Sequence, residues 1–213
     1  MRAFKHWDDG RWANELTREG KIRLMPISYY WEVENVAPGV QDELEGSTRG
    51  THGPMSWTSG PSLSQLAILK RAGVVEVDQA ENISLGEVTL VRRGPQFYIF
   101  CMSAAADMGI FDNTVDVTTI PDVKALGMAI GQASGGRFDA FDCDVVTYRD
   151  VEFQFETADL FPDPFVKRQT FAHQREIRLV FKPAVELQGP QYIQSPTIVA
   201  ALRPILVPCG ILT

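Results

Sequence analysis

At 213 residues and a net charge of −7, the chain can bury one sizeable core, and it is too acidic to bind nucleic acid mainly by phosphate neutralisation. Hydrophobic residues make up 45% and charged residues 22%, a globular composition that excludes extended disorder. The first residues lack the apolar run of a signal peptide, and no membrane-spanning apolar stretch follows. We therefore expect a single domain in the cytoplasm, with no membrane contact.

Neither metals nor disulfides are expected. The widely spaced cysteines form no CxxC pair; they are Cys101, Cys143 and Cys209. Such an odd set is typical of reduced thiols, and we interpret all three as buried small hydrophobic residues. The histidines lack the spacing of metal ligands.

The first part of the chain predicts helices and one strand around a long loop. Residues 10–20 have helical spacing and end at Gly20, whereas residues 21–28 alternate apolar and charged side chains as a strand does. Residues 29–61 are rich in Gly, Pro, Ser and acidic residues, so we expect a long loop insertion there. Residues 62–73 predict a second helix.

The remainder predicts one more helix and several strands. A short strand at 74–77 precedes two β-rich runs, 86–93 and 95–103, joined by turn residues as in a hairpin. Residues 119–134 predict a third helix. Strands are then expected within residues 142–155, 171–182 and 196–207. This order favours an α+β fold with about three helices and a mainly antiparallel sheet, continuous or split.

The most informative segment is FAHQREIRLVF, residues 171–181. A strand here places Gln174, Glu176 and Arg178 in a row on one face, with neighbours roughly 6.6 Å apart. Such a row suits recognition of a polar, partly anionic ligand. The alternative is a solvated outer face with a cross-strand ion pair.

The Gln-x-Glu pair on this strand resembles the Gln/Glu-x-Glu element of the ADP-ribosyltransferase superfamily. The resemblance implies that Glu176 binds the nicotinamide ribose of NAD and favours departure of nicotinamide, while Gln174 orients the acceptor. A carboxylate is needed because positive charge develops on the ribose as the glycosidic bond lengthens. It also implies an ADP-ribosyltransferase-like fold.

The same resemblance implies NAD contacts elsewhere. The superfamily has a His or Arg on its first core strand and a serine on a middle strand, and the nearest matches are His6 and Ser103. Tyr29 and Tyr30 could supply an aromatic surface for nicotinamide. The alternatives are packing of His6 on Trp7, a strand-end role for Ser103, and tyrosines buried in the core.

A second resemblance rests on short patches in a shared order. The chain is similar to an uncharacterised bacterial family in five patches: ISYYWEVEN, QDELEG, YIFCMS, VVTYRDV and KRQTFAHQREIRLVF. Gln174 stands where that family's commoner pattern has Glu. Together the two resemblances imply a bacterial toxin or phage-defence enzyme that transfers ADP-ribose from NAD.

Charge and missing motifs support the same direction. Basic residues gather around Glu176: Lys167, Arg168, Arg175, Arg178 and Lys182. A pyrophosphate needs such a local positive pocket, and Arg178 could bind a phosphate or pair with Glu176. GxGxxG, P-loop and GxSxG motifs are absent, which disfavours Rossmann dehydrogenases, P-loop NTPases and common serine hydrolases.

The acceptor and partner remain open at the sequence level. The resemblance implies a macromolecular acceptor, either protein or nucleic acid, and allows for an antitoxin or regulatory partner. The competing hypothesis is a non-catalytic binding protein of the immunity or antitoxin type. It would use the acidic loop 32–45 to meet a basic surface.

Overall fold

The computed structural model describes residues 1–31, 44, 47–71, 83–111, 113–150, 152–154 and 162–203. These residues form helices and a mainly antiparallel sheet, so the predicted α+β class is confirmed. None of the described helices is long and apolar enough to cross a membrane. The predicted strand 74–77, the acidic residues of loop 32–45, and Cys209 lie outside the described residues.

The strands, in chain order, are β1 (Ala3–Trp7), β2 (Lys21–Pro26), β3 (Ser47–His52), β4 (Met55–Trp57), β5 (Ile83–Leu85), β6 (Val88–Arg93), β7 (Tyr98–Ser103), β8 (Asp116–Ile120), β9 (Phe138–Val145), β10 (Thr147–Tyr148), β11 (Glu152–Gln154), β12 (Val166–Lys167), β13 (Glu176–Pro183) and β14 (Gln191–Gln194). The α-helices are α1 (Gly10–Asn14), α2 (Leu63–Arg71), α3 (Val123–Ala133) and α4 (Pro196–Ala201). A π-helical turn (Glu15–Glu19) extends α1, and 3₁₀ turns occupy Ile27–Trp31, Met108–Ile110 and Gln169–Gln174.

The main sheet has seven strands and a fork at its centre. On one side, β7 pairs along its whole length with β13, which in turn pairs with β9. On its other edge, β7 pairs with β2 at Tyr98 and Ile99, but with β1 at Ser103. The sheet then continues as β1–β8 on one branch and β2–β14 on the other. Every pairing in this sheet is antiparallel.

The two faces of the central strands have different chemistry. Alternate residues of β7 and β13, such as Phe100 and Leu179, join the main core with α3, where Leu126 and Ile130 are fully buried. The opposite face holds a smaller cluster, in which Ile99 and Ile27 take part, and the polar residues of β13. Both faces are covered, so β13 is buried from its first residue to the sixth.

The predicted hairpin of residues 86–103 is wrong. Its two strands exist, but β6 pairs with β3 and β7 pairs with β13, so they are not partners. The reason is burial: β7 is almost entirely buried and needs an apolar neighbour on each side, whereas Arg92 and Arg93 of β6 are exposed. Packing in the sheet centre overrides the local turn signal of Gly94 and Pro95.

The predicted strand at 196–207 is also wrong, because its described part is helix α4. Ser195 caps this helix by accepting a hydrogen bond from the Thr197 N–H, and Pro196 occupies the first helical turn. This is a strong helix start, and it outweighs the β-branched residues Thr197, Ile198 and Val199.

The strand predicted at 171–182 begins later than expected. Residues 169–174 form a 3₁₀ turn, Arg175 adopts a left-handed conformation with φ of 45°, and β13 starts at Glu176. The other segments are closer to expectation. Helix α3 lies within 119–134, although residues 116–120 are strand β8, and the predicted loop 29–61 contains β3 and β4.

Candidate functional site

Glu176 lies at the centre of the sheet, on the face opposite the main core. It is the first residue of β13 and is paired across the sheet with Ser103 of β7. Arg178 follows on the same face, paired with Cys101. The row that could have been a solvated surface is therefore interior: Glu176 is 3% exposed and Arg178 0%.

The segment of residues 162–174 covers this face, and we call it the covering segment. Phe165 packs on the Ile99 and Val180 cluster, and Arg178 donates through Nη1 to the Pro164 carbonyl. The segment is attached at β12, which pairs in parallel with β10. The covering segment thus places polar groups, the Pro164 carbonyl and the Lys167 ammonium, over Arg178 and Glu176.

Three charged side chains meet under the covering segment. Arg178 Nε lies 2.6 Å from Oε1 of Glu176, and Lys167 Nζ lies 3.2 Å from its Oε2. Lys167 also donates to the amide oxygen of Gln174 over 3.0 Å. The sequence predicts Gln174 on the strand, and this is wrong because it lies in the 3₁₀ turn before β13. That turn nevertheless brings its buried side chain to the same cluster. We call Lys167, Gln174, Glu176 and Arg178 the ion cluster.

The two cations determine the ionisation of Glu176. Burial by itself raises the pKa of this carboxyl, but Arg178 and then Lys167 outweigh it and lower the pKa well below the usual range. Glu176 is therefore anionic at every physiological pH. Because it faces two cations, the ion cluster carries a net positive charge at its core.

Neighbouring groups fix the position of Glu176 through the backbone. Its N–H donates to Tyr148 Oη over 2.7 Å, and its carbonyl accepts from the Val146 N–H. Burial raises the pKa of Tyr148, so its hydroxyl keeps its proton. Ser103 is fully buried, and its Oγ donates to the Gln174 carbonyl over 2.9 Å.

His6 reaches the ion cluster only indirectly. Its Nε2 lies 2.9 Å from the carbonyl oxygen of Ala105, whose N–H donates to Ser103 Oγ over 3.2 Å. The His6 ring packs against Phe111, with 5.2 Å between the centroids. His6 and Ser103 are thus linked through the backbone of Ala105. Ser103 is in turn the cross-strand neighbour of Glu176.

The two tyrosines lie further away. Tyr29 and Tyr30 occupy a 3₁₀ turn and contact each other edge to face, 5.7 Å between centroids. Tyr30 packs on the cluster of Ile99 and Val180. Val180 is four residues along β13 from Glu176, which separates the two Cα atoms by about 13 Å. The tyrosines therefore lie at the opposite end of this sheet face from Glu176.

Cys101 lies beside the ion cluster and differs from its prediction. It is partly exposed, as is Cys143, and both are free thiols. Its thiol is close enough to Glu176 for the charge of the carboxylate to act on it. Burial and then the negative charge of Glu176 raise the pKa of Cys101 to about 12, so it is a poor nucleophile.

Sequence reasoning missed two members of this site. In the sequence, Lys167 is one of several basic residues before Glu176, and Tyr148 is part of the VVTYRDV patch. Both are brought in by the short parallel pairing of β10 with β12, where Tyr148 is opposite Lys167. A two-residue ladder leaves no periodic signal in a sequence.

No group of three or more His, Cys, Asp or Glu side chains within the described ranges is arranged to hold a metal ion. Comparison with known proteins gives no relative: no family model, no curated protein and no solved structure matches the chain.

Proposed function

We propose that the protein is an ADP-ribosyltransferase that consumes NAD, with Glu176 as its catalytic carboxylate. The observation that carries the proposal is the ion cluster, in which Arg178 and Lys167 keep a buried glutamate ionised beside Gln174. A permanently anionic carboxylate matches the chemistry required, whereas a general acid needs a raised pKa. The Gln-x-Glu resemblance supports the same assignment.

In the proposed reaction the bond between the ribose C1′ and the nicotinamide nitrogen breaks, and its electron pair leaves with nicotinamide. The acceptor nucleophile forms the new bond to C1′ and releases its proton to solvent. Glu176 acts electrostatically on the positive charge that the ribose carries between the two events. Gln174 acts as a positioning residue, because its amide oxygen holds Lys167 against Glu176.

This function requires a change in the covering segment. Glu176 is 3% exposed, and each of its oxygens contacts a cation. Substrate therefore reaches the carboxylate only when residues 162–174 move away from the sheet face. The pyrophosphate of NAD is a suitable competitor for Lys167, since a phosphoryl oxygen forms the same charge-assisted hydrogen bond as a carboxylate.

The proposal is tested with labelled NAD and cell lysate. We expect wild-type protein to label a macromolecule and Glu176→Gln to label at least about a hundredfold less. Leu126→Ala is the matched control, because it destabilises the core from α3 without touching the ion cluster, and it should label normally at a temperature where both variants are folded. Equal labelling by wild type and folded Glu176→Gln rejects the proposal.

The class of acceptor follows from the same samples. Labelled material is digested separately with protease and with nuclease. Loss of label from the macromolecular fraction only after protease treatment assigns a protein acceptor, and loss only after nuclease treatment assigns a nucleic acid. A toxin or defence role predicts in addition that expression of wild type slows bacterial growth, and that Glu176→Gln does not.

A further inference from the structure

The fork in the main sheet leaves part of β7 without a strand neighbour. On this edge, Ile99 pairs with Met25 of β2, and Ser103 pairs with Phe4 of β1. No strand of the described part of the chain pairs with residues 100–102 on this side. On the other edge of β7, Ser103 is paired with Glu176.

Backbone groups of β7 point into this fork. The Ile27 N–H donates to the Phe97 carbonyl on the β2 side, whereas the Ala104 N–H donates to the Arg175 carbonyl on the β13 side. Because backbone groups of successive strand residues point in opposite directions, odd-numbered residues of β7 face the fork edge. The N–H and C=O of Cys101 are therefore directed into the gap.

Lys5 of β1 occupies the fork. Its Nζ lies 5.1 Å from the ring centroid of Phe100 and 5.3 Å from that of Trp7. Within the described residues Lys5 forms neither a hydrogen bond nor an ion pair, in contrast to Lys21, which contacts Glu15 at 2.9 Å. Its ammonium group is held between aromatic rings, with no carboxylate of the described residues at ion-pair distance.

The charges around Lys5 favour an anion. Burial lowers the pKa of Lys5; Cys101 and then Glu176 oppose this, and Arg23 adds to it. Glu176 is already balanced by Arg178 and Lys167, which leaves exposed Asp8 as the other carboxylate that acts on Lys5. A bound anion would remove the penalty of burying this ammonium group.

A second cation lies near the fork. The guanidinium of Arg23, on β2, is 5.1 Å from the ring centroid of Trp12 and is exposed. The guanidinium of Arg11 also lies over the Trp12 ring, 4.9 Å from its centroid. Arg23 can therefore contribute long-range attraction for an approaching anion while Lys5 makes the direct contact.

We propose that the fork between β1 and β2 is a binding site for a phosphoryl anion, held by Lys5 Nζ and the Cys101 N–H. An ammonium and a backbone N–H are standard donors to phosphoryl oxygens, and the fork offers both. The site binds either free pyrophosphate or the phosphate group of a nucleotide. This inference does not depend on ADP-ribosyl transfer, because the fork can bind an anion whether or not the protein catalyses a reaction.

The test uses inorganic pyrophosphate at constant ionic strength, with binding measured by calorimetry. We expect wild type and Lys182→Gln to bind equally, and Lys5→Gln at least about tenfold more weakly. Lys182 is a matched control because it is an exposed lysine of β13 at the end away from the fork. Lys5→Arg keeps the charge and should stay within a few-fold of wild type. Undiminished binding by Lys5→Gln, or no binding by wild type at millimolar pyrophosphate, overturns the inference.

A second measurement needs no variant. Reductive methylation of wild-type lysines, read by mass spectrometry, should show that pyrophosphate protects Lys5 and leaves Lys182 unchanged. Equal protection of the two lysines would count against the site. ADP-ribose in place of pyrophosphate then identifies the source: tighter binding indicates a nucleotide ligand, and equal or weaker binding indicates a free phosphate.

The outcomes separate this inference from the proposed function. Pyrophosphate binding at Lys5 in a protein that never consumes NAD rejects the transferase and keeps the anion site. If NAD consumption depends on Glu176 and Lys5→Gln has no effect on pyrophosphate binding, the transferase is kept and the anion site is rejected.

Discussion

Arg178 folds back along its own strand to Glu176, so that Nε and Oε1 are 2.6 Å apart although both residues are almost completely removed from solvent. Lys167 approaches the other oxygen from the covering segment. The pairing therefore joins one strand to a segment that is not part of the sheet. Each of the two cations forms an ion pair with Glu176.

Replacement of Glu176 by Gln should destabilise the protein. The change removes the buried carboxylate that both Arg178 and Lys167 contact, and breaking such a buried pair costs about 3–5 kcal/mol. We expect the free energy of unfolding in urea at neutral pH to fall by about that amount. Glu186→Gln, an exposed carboxylate on the loop after β13, is the matched control and should leave the urea midpoint unchanged. Identical midpoints for all three proteins would mean that the ion cluster contributes nothing to stability.

The stability provided by Glu176 should disappear in acid. Burial raises its pKa, but Arg178 and Lys167 outweigh burial, so the folded pKa lies below the ordinary 4.5. As the pH falls, the unfolded chain takes up the proton first, and the stabilisation is lost below about pH 4.5, towards the folded pKa. The difference between wild type and Glu176→Gln should thus be constant at about pH 6–8 and shrink on acidification. A difference that grows in acid contradicts the assigned direction.

Removal of the Tyr148 hydroxyl should have a measurable cost. Tyr148 Oη accepts from the Glu176 N–H over 2.7 Å, and Tyr148→Phe leaves that N–H unsatisfied. A lost partner of this kind costs about 1–2 kcal/mol, which lowers the melting temperature by about 2–8 °C. Tyr192→Phe, at an exposed tyrosine, should melt as wild type does. If both variants melt alike, the hydrogen bond is unimportant.

Cys101 should react slowly with thiol reagents in the folded protein. Its pKa is raised to about 12, first by burial and then by Glu176, so little thiolate exists near neutral pH. In a variant with Cys143 and Cys209 changed to Ser, labelling should be about a hundredfold slower in native buffer than in urea. Fast native labelling would show that Cys101 is neither desolvated nor close to Glu176.

Gly20 should tolerate alanine less well than Gly135. Both have left-handed backbones, with φ of 64° and 65°, so alanine costs about 1–2 kcal/mol in either place. At Gly20, however, an added Cβ would collide with the Ser195 carbonyl that precedes α4, whereas nothing lies within 4 Å at Gly135. Gly20→Ala should therefore have the lower urea midpoint, and equal midpoints would show that α4 can shift without cost.

The sequence predicts elements with a strong local signal. Helix α3 follows from its apolar spacing and its start, and β2 from the alternation of Ile22 and Leu24 with charged residues. The α+β class follows from the order of such elements. Where neighbours in space decide, as for β6 and β7, the local pattern fails because pairing depends on which strand can be buried.

The candidate site could be predicted only in part, because its strand spacing is visible in the sequence and its burial is not. The spacing of Glu176 and Arg178 indicates a shared strand face, and the structure has one. The burial of that face depends on the covering segment, whose contacts through Pro164 and Lys167 join residues without regular spacing. A polar row beneath such a cover and a polar row in water have the same sequence pattern.

The position of β13 between β7 and β9 bears on how the protein is made. Because a ribosome releases the chain from its N-terminus, both flanking strands emerge before the strand that joins them. Until Glu176–Pro183 arrives, two long strands present open backbone edges to other nascent chains. Incomplete translation products that end before this strand are therefore expected to aggregate or to be captured by chaperones.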